Sequence, residues 1–161
     1  MTRSARRLLA ISAAVGKVGF VYLVDGELMD WGLSRKASKS VDNVFATATN
    51  WLIKYRPDLV VIEKVNGSGR KGVHTKSLTE ALKAAALDRS VRVEALARPM
   101  TYPSKYHEAR DLAVEFPQIE PWLPNHRRLY DTEPDNIILF EALSLAVAWL
   151  AQNGAEDDET D

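Results

Sequence analysis

Two acidic residues of this 161-residue chain stand where acids are uncommon. Glu63 ends the apolar run Leu59-Val60-Val61-Ile62, and Glu141 interrupts a largely apolar series from Ile137 to Ala151. A carboxylate in such a place either faces a cleft or is neutralised by a cation. For Glu63 the cation would be Lys17 or a basic residue near Lys64. For Glu141 the other outcome is a narrow solvated stripe along the helix. Facing a common cleft, two carboxylates can hold a hard cation such as Mg²⁺ or Mn²⁺ through their oxygens. Directly after Glu63 come Lys64, Arg70, Lys71, His74 and Lys76, interleaved with Gly67, Gly69 and Gly72. That composition predicts a mobile basic surface loop over 64–76, suited to holding phosphates without regard to base sequence. A solvated loop with no partner is the plain alternative. Lys105 and Arg127-Arg128 could extend the same basic surface.

Other chemistries find less support. The Ser12 hydroxyl would need a base to act as a nucleophile, and His74, His107 and His126 fall in loops or helix starts with no motif around them. The glycine loop lacks the spacing and the Lys-Ser/Thr ending of a P-loop. With no cysteine in the chain, thiolate nucleophiles, thiolate zinc sites and disulfides are excluded. Trp31, Trp51, Trp122 and Trp149 read as core aromatics.

The elements that must position these residues follow from apolar spacing and turn residues. Leu8–Ile11 and Val18–Val24 read as strands joined by a turn over Ala13–Lys17 that carries Gly16. Leu28–Leu33 follows the dipeptide Asp25-Gly26, which favours the positive φ of a two-residue hairpin. Val41–Tyr55 has helical spacing, with Ser40 as N-cap and Pro57 as stop. Leu59–Ile62, β-branched and apolar throughout, predicts a strand buried on both faces in a parallel arrangement. A helix follows from Thr75 or Ser77 to about Leu87. Val91–Leu96 alternates and so belongs towards a sheet edge. Ser104–Phe116 reads as a helix, and Trp122 and Leu123 as anchors to the core. Thr132-Glu133-Pro134-Asp135 has the form of a capping box, with Asp135 at the N3 position. Behind it Asn136–Ala151 is the strongest helix, apolar round most of its circumference. The order β-β-β-α-β-α-β-α-α implies an α/β fold: a mixed five-stranded sheet with helices on both faces and right-handed crossovers.

Length and composition, 46% apolar and 27% charged, fit one soluble domain over residues 1–151. Residues 152–161 read as an acidic, disordered tail. Removing the five acids from Glu156 onward turns the formal charge of −1 into +4, which a nucleic-acid partner would suit. No apolar run is long enough to span a bilayer and no signal peptide is evident, so a cytoplasmic location is expected.

Order and spacing together resemble the ribonuclease-H-like superfamily, and within it the RuvC-type Holliday-junction resolvases. The segments that carry the resemblance are LLAISAAVGKVGFVYL, VVIEKVNGSGRKG, the stretch Pro99…Pro103-Ser104-Lys105 and FEALSLAVAW. The resemblance implies a Mg²⁺- or Mn²⁺-dependent endonuclease acting on branched DNA, working as a homodimer. It makes Glu63 and Glu141 the metal-binding, catalytic carboxylates, and Lys105 with the 64–76 loop the phosphate-holding surface. Ser12 falls where the family has its first-strand aspartate, with Ala13-Ala14 in place of Pro-Gly, and Ile138 stands where a further acid can occur. Ser12 would then be a substitute or water-mediated ligand in an atypical or weakened site. Two further readings stand beside this one. A catalytically inactive relative would bind nucleic acid or a protein partner through the same surface. An actin-like phosphotransferase fragment would begin with the same meander but needs a second domain to enclose its nucleotide.

Overall fold

The computed structural model describes residues 6–14, 16–65, 69–97, 102–124 and 135–160, with the backbone alone for 69–71 and 154–160. Its elements are β1 (Arg7–Ala14), β2 (Lys17–Val24), β3 (Glu27–Ser34), α1 (Val41–Tyr55), β4 (Leu59–Glu63), α2 (Gly69–Asp88), β5 (Arg92–Leu96), α3 (Lys105–Glu115) and α4 (Ile137–Thr160). Short 3₁₀ turns lie at Ala37–Lys39 and Pro117–Trp122.

The five strands form one mixed sheet in the order β3-β2-β1-β4-β5. β1 runs antiparallel to β2 and parallel to β4, β2 antiparallel to β3, and β4 parallel to β5. The second hairpin turns on Asp25 (φ 52°) and Gly26 (φ 82°), the positive pair that matches the twist of the flanking strands. β5 is an edge strand, as its alternation implied.

Helices cover both faces. Leu9, Ile11, Val18, Phe20, Val60 and Ile62 pack under α1 and α2. Leu8, Ala10, Val21, Leu23, Leu59 and Val61 pack under α3 and α4. α1 starts where Ser40 Oγ accepts from Asn43 N–H and ends at Arg56 in the left-handed conformation (φ 46°) before Pro57. α3 starts in the same way, with Ser104 Oγ accepting from His107 N–H.

Several expectations are corrected. β1 continues through Ala13 and Ala14, which pair with Val18 and Lys17, so Ser12 lies inside the strand opposite Gly19 and not at its end. Only two residues separate β1 from β2, and Gly16, just before β2, takes φ 90°. α2 begins at Gly69, so most of the expected basic loop is helix. Leu78, Ala81, Leu82 and Ala85 are buried against the sheet and outweigh the roughly 1 kcal/mol that each helical glycine costs. Thr75 and Ser77, the two expected starts of this helix, are therefore inside it, and the Ser77 and Thr79 hydroxyls donate to the Val73 and Thr75 carbonyls.

Asp135 precedes α4 and does not stand at its N3 position: its carboxylate meets Lys17 and Arg35. The rest of the expected capping box, 132–134, lies outside the described residues. α4 runs on through the acidic segment to Thr160. That stretch contains Ala155 and charged residues, with Gly154 but no proline to stop a helix. Trp122 remains 41% exposed, with its ring edge against Trp31, while Leu123 packs on the core.

Candidate nucleic-acid site at the end of the sheet

Strand alternation determines which side chains can meet. Leu8 and Ala10 face α4, so Ser12 does too. Leu59 and Val61 share that face, which makes it the face of Glu63. The parallel register ends at Ile11 opposite Ile62, and its next step sets Ser12 beside Glu63. Ser12 is buried to 1% exposure, and Glu63 is half-buried at the open end of the sheet. Among the described residues, no hydrogen bond or ion pair engages the Glu63 side chain.

α4 brings the second carboxylate over this point. The helix crosses the sheet obliquely. Ile138 lies on Gly19 of β2, so close that a Cβ there would stand 2.7 Å from Ile138 Cγ2, and Trp149 lies near Arg92 of β5. Glu141, one turn after Ile138, is displaced about 4.5 Å along the axis, from β2 in the direction of β1 and β4. Its side chain is 12% exposed, and Lys105 Nζ at the start of α3 lies 3.9 Å from its Oε2. Ser12, Glu63 and Glu141 thus share one face at the same end of the sheet, with Lys105 at the rim.

Lys17, weighed from the sequence only as an ion-pair partner of Glu63, lies on the same sheet face two residues before Gly19, the partner of Ser12. It opens β2, and its side chain is only 7% exposed. Its ammonium is 3.9 Å from Asp135 Oδ1, and Arg35 pairs with the other oxygen of the same carboxylate. The signal was present in the alternation Lys17, Gly19, Val21, Leu23. It was hidden because β2 is apolar on both faces. Lys17 was expected as a partner of Glu63, and it pairs with Asp135 instead.

The remaining expected residues divide. Lys64 is exposed and its N–H bonds Leu96 O, prolonging the β4–β5 ladder by one step. His74 and Lys76 are exposed on the first turns of α2, which leaves from the Glu63 end of β4 but packs on the opposite face. Arg70 and Lys71 lie in the first turn of α2, their side chains outside the described residues. His107 is a surface residue whose ring bonds its own cap, Ser104. His126, Arg127 and Arg128 lie outside the described residues.

The donor set does not fit a pair of divalent ions. Two carboxylates and one neutral hydroxyl supply too little anionic oxygen for two ions about 3.5–4 Å apart. One of the carboxylates already has an ammonium beside it. Among the described residues no group of three or more acidic or histidine side chains is placed to hold a metal.

No family model matches the sequence. No curated protein matches it either. The fold, by contrast, has clear counterparts. Thermus thermophilus RuvC is similar with a TM-score of 0.60 at 19% identity, over 92% of this chain and 96% of that one. The fold is that of the ribonuclease-H-like, RuvC-type resolvases. The same RuvC in complex with a Holliday junction substrate is similar with a TM-score of 0.59 at 16% identity, covering 91% of this chain and 94% of the other. A fowlpox virus resolvase in complex with Holliday junction DNA is similar with a TM-score of 0.59 at 11% identity, over 90% and 99% of the two chains. The RuvC-type fold therefore extends over nearly the whole chain, and no described helix is long and apolar enough to cross a membrane.

Proposed function

We propose that this chain is a RuvC-like nucleic-acid-processing protein that engages branched DNA at the Glu63 end of its sheet. The phosphate contacts come from Lys105, Lys64, His74 and Lys76, together with Arg70 and Lys71 of the first turn of α2. Such contacts set affinity and its salt dependence, not base sequence. The observation that carries this reading is the composition of the site beneath the basic rim. Ser12, a neutral hydroxyl, lies inside the first strand opposite Gly19, Ile138 fills the helix position over Gly19, and a buried lysine lies on the same face. A rim able to hold phosphates above a site short of metal ligands favours binding over efficient two-metal cleavage.

A specific observation keeps a second reading, a weakened endonuclease. Glu63 has no hydrogen-bonding or ionic partner among the described residues, and a cation arriving with the substrate's phosphates could use it with Glu141. One experiment decides between them: incubation of the purified protein with a labelled four-way junction and Mg²⁺ or Mn²⁺. Binding without cleavage supports the first reading. Metal-dependent cleavage that Glu63→Gln abolishes supports the second, and neither binding nor cleavage rejects both. The homodimer that the resemblance implies would present two such sites to one junction, and sedimentation of the free protein tests it.

A further inference from the structure

A site with too few carboxylates for metal, and a nearly buried lysine on the same sheet face, are two halves of one arrangement. Ser12 pairs with Gly19 and Ala14 with Lys17. Ser12 and Lys17 are therefore diagonal neighbours on one face, about 7 Å apart at the backbone and within reach of a long side chain. Lys17 is buried almost completely, and a charge so placed needs a partner. Asp135 supplies it at 3.9 Å, itself held on its other side by Arg35. At the rim the second carboxylate, Glu141, has Lys105 at 3.9 Å. Protein ammonium groups thus stand beside acids that elsewhere could attract a divalent ion. A cation brought next to Ser12 would meet the Lys17 charge in a medium that screens it poorly.

We propose that Lys17 is a resident cation of this site: its ammonium supplies the positive charge that a divalent ion would supply, and excludes such an ion. Ser12 and Lys17 then form a compensated pair, the neutral hydroxyl removing the charge that would have called for metal and the lysine restoring positive potential beneath the rim. Lys17 is a positioning residue in this scheme. It touches Asp135 and neutralises the floor of the site, while the phosphates contact Lys105 and the α2 rim. Nucleic acid consequently binds with no divalent requirement. That last consequence rests on the proposed DNA-binding reading, whereas the exclusion of metal does not.

The test uses the full-length protein and Mn²⁺ alone, followed by calorimetry and thermal melting, in the wild type, Ser12→Asp, Ser12→Asp with Lys17→Met, and Ser12→Asp with Lys17→Arg. The wild type is expected to take up no Mn²⁺. In the Ser12→Asp background, Lys17→Met is expected to raise Mn²⁺ affinity at least about tenfold, equivalent to 1.4 kcal/mol. Lys17→Arg, which keeps the charge, is expected to give no such gain. Stoichiometric Mn²⁺ binding by the wild type that Glu63→Gln removes would overturn the proposal. So would equal Mn²⁺ affinities with Lys and Met at position 17. Melting curves confirm that each variant is folded, and if the Met variant is not, stoichiometric Mn²⁺ uptake by the wild type remains the outcome that overturns the proposal. In a parallel arm, junction affinity is measured in EDTA and in Mg²⁺. Equal affinities support the proposal and loss in EDTA contradicts it. Absence of binding in both conditions rejects the DNA-binding reading and leaves the Mn²⁺ comparison to decide the role of Lys17.

Discussion

Ile138 of α4 rests on Gly19 of β2 so closely that a Cβ at Gly19 would lie 2.7 Å from its Cγ2. This contact sets the depth at which α4 crosses the sheet, and with it the height of Glu141 above the sheet. Gly19→Ala therefore cannot be accommodated without moving the helix or forcing Ile138 off its rotamer. Overpacking of this kind costs about 1–3 kcal/mol, and denaturant unfolding of the variant is expected to show a loss in that range. A Gly19→Ala protein as stable as the wild type would mean that the helix is not seated there.

A second anchor joins α3 to α4. Ser144 Oγ donates to Glu108 Oε2 at 2.8 Å, and both residues are buried. A hydrogen bond to a buried charged group is worth about 1.5–3 kcal/mol, so Ser144→Ala is expected to destabilise by that order. Because α3 also carries Lys105, the same variant should weaken junction binding at temperatures where the wild type is still rigid. Urea titration followed by binding measurements checks both.

Alkaline pH probes the outer strand. Tyr55 donates its hydroxyl to Asp30, and burial, with the adjacent Asp30 carboxylate, pushes its pKa above the ordinary value of about 10. Raised in the folded state, the group binds its proton more tightly there than when unfolded. Its stabilisation is complete below pH about 10 and is lost as the pH rises beyond it. Tyr55→Phe is expected to cost about 1 kcal/mol at neutral pH and to flatten the fall in stability above pH about 10. Thermal melts of both proteins from neutral to alkaline pH provide the comparison.

The sheet was legible in the sequence because its signals are local: Asp25-Gly26 at a hairpin, an all-apolar β4, an alternating β5. The positions of Glu63 and Glu141 were legible for the same reason, each interrupting an apolar run. The burial of Lys17 and its pairing with Asp135 were not, since a strand buried on both faces shows no alternation and a leading lysine looks like the edge of a turn. The start of α2 was misplaced because Gly67, Gly69 and Gly72 signal a loop locally, whereas the burial of Leu78 and Leu82 that favours the helix is a tertiary effect. Asp135 was assigned to a helix cap by its spacing, but charges at the start of β2 and just after β3, far away in sequence, claim its carboxylate.

Lys105 separates a phosphate contact from a purely internal role. It is 44% exposed beside Glu141 and can reach both the acid and a ligand. If it touches a phosphate, Lys105→Ala should weaken junction binding and lower the slope of log affinity against log salt by about 1. A purely internal role would change affinity without changing that slope.

The central claim, that this RuvC-type fold binds branched DNA through a site that does not depend on metal, is tested most directly by one titration. A fluorescently labelled four-way junction, and a duplex of the same arm sequence, are titrated with the protein in EDTA and followed by anisotropy. The junction should bind at least about tenfold more tightly than the duplex, a preference of 1.4 kcal/mol or more. Equal affinity for the two, or no binding to either at low salt, would contradict the claim.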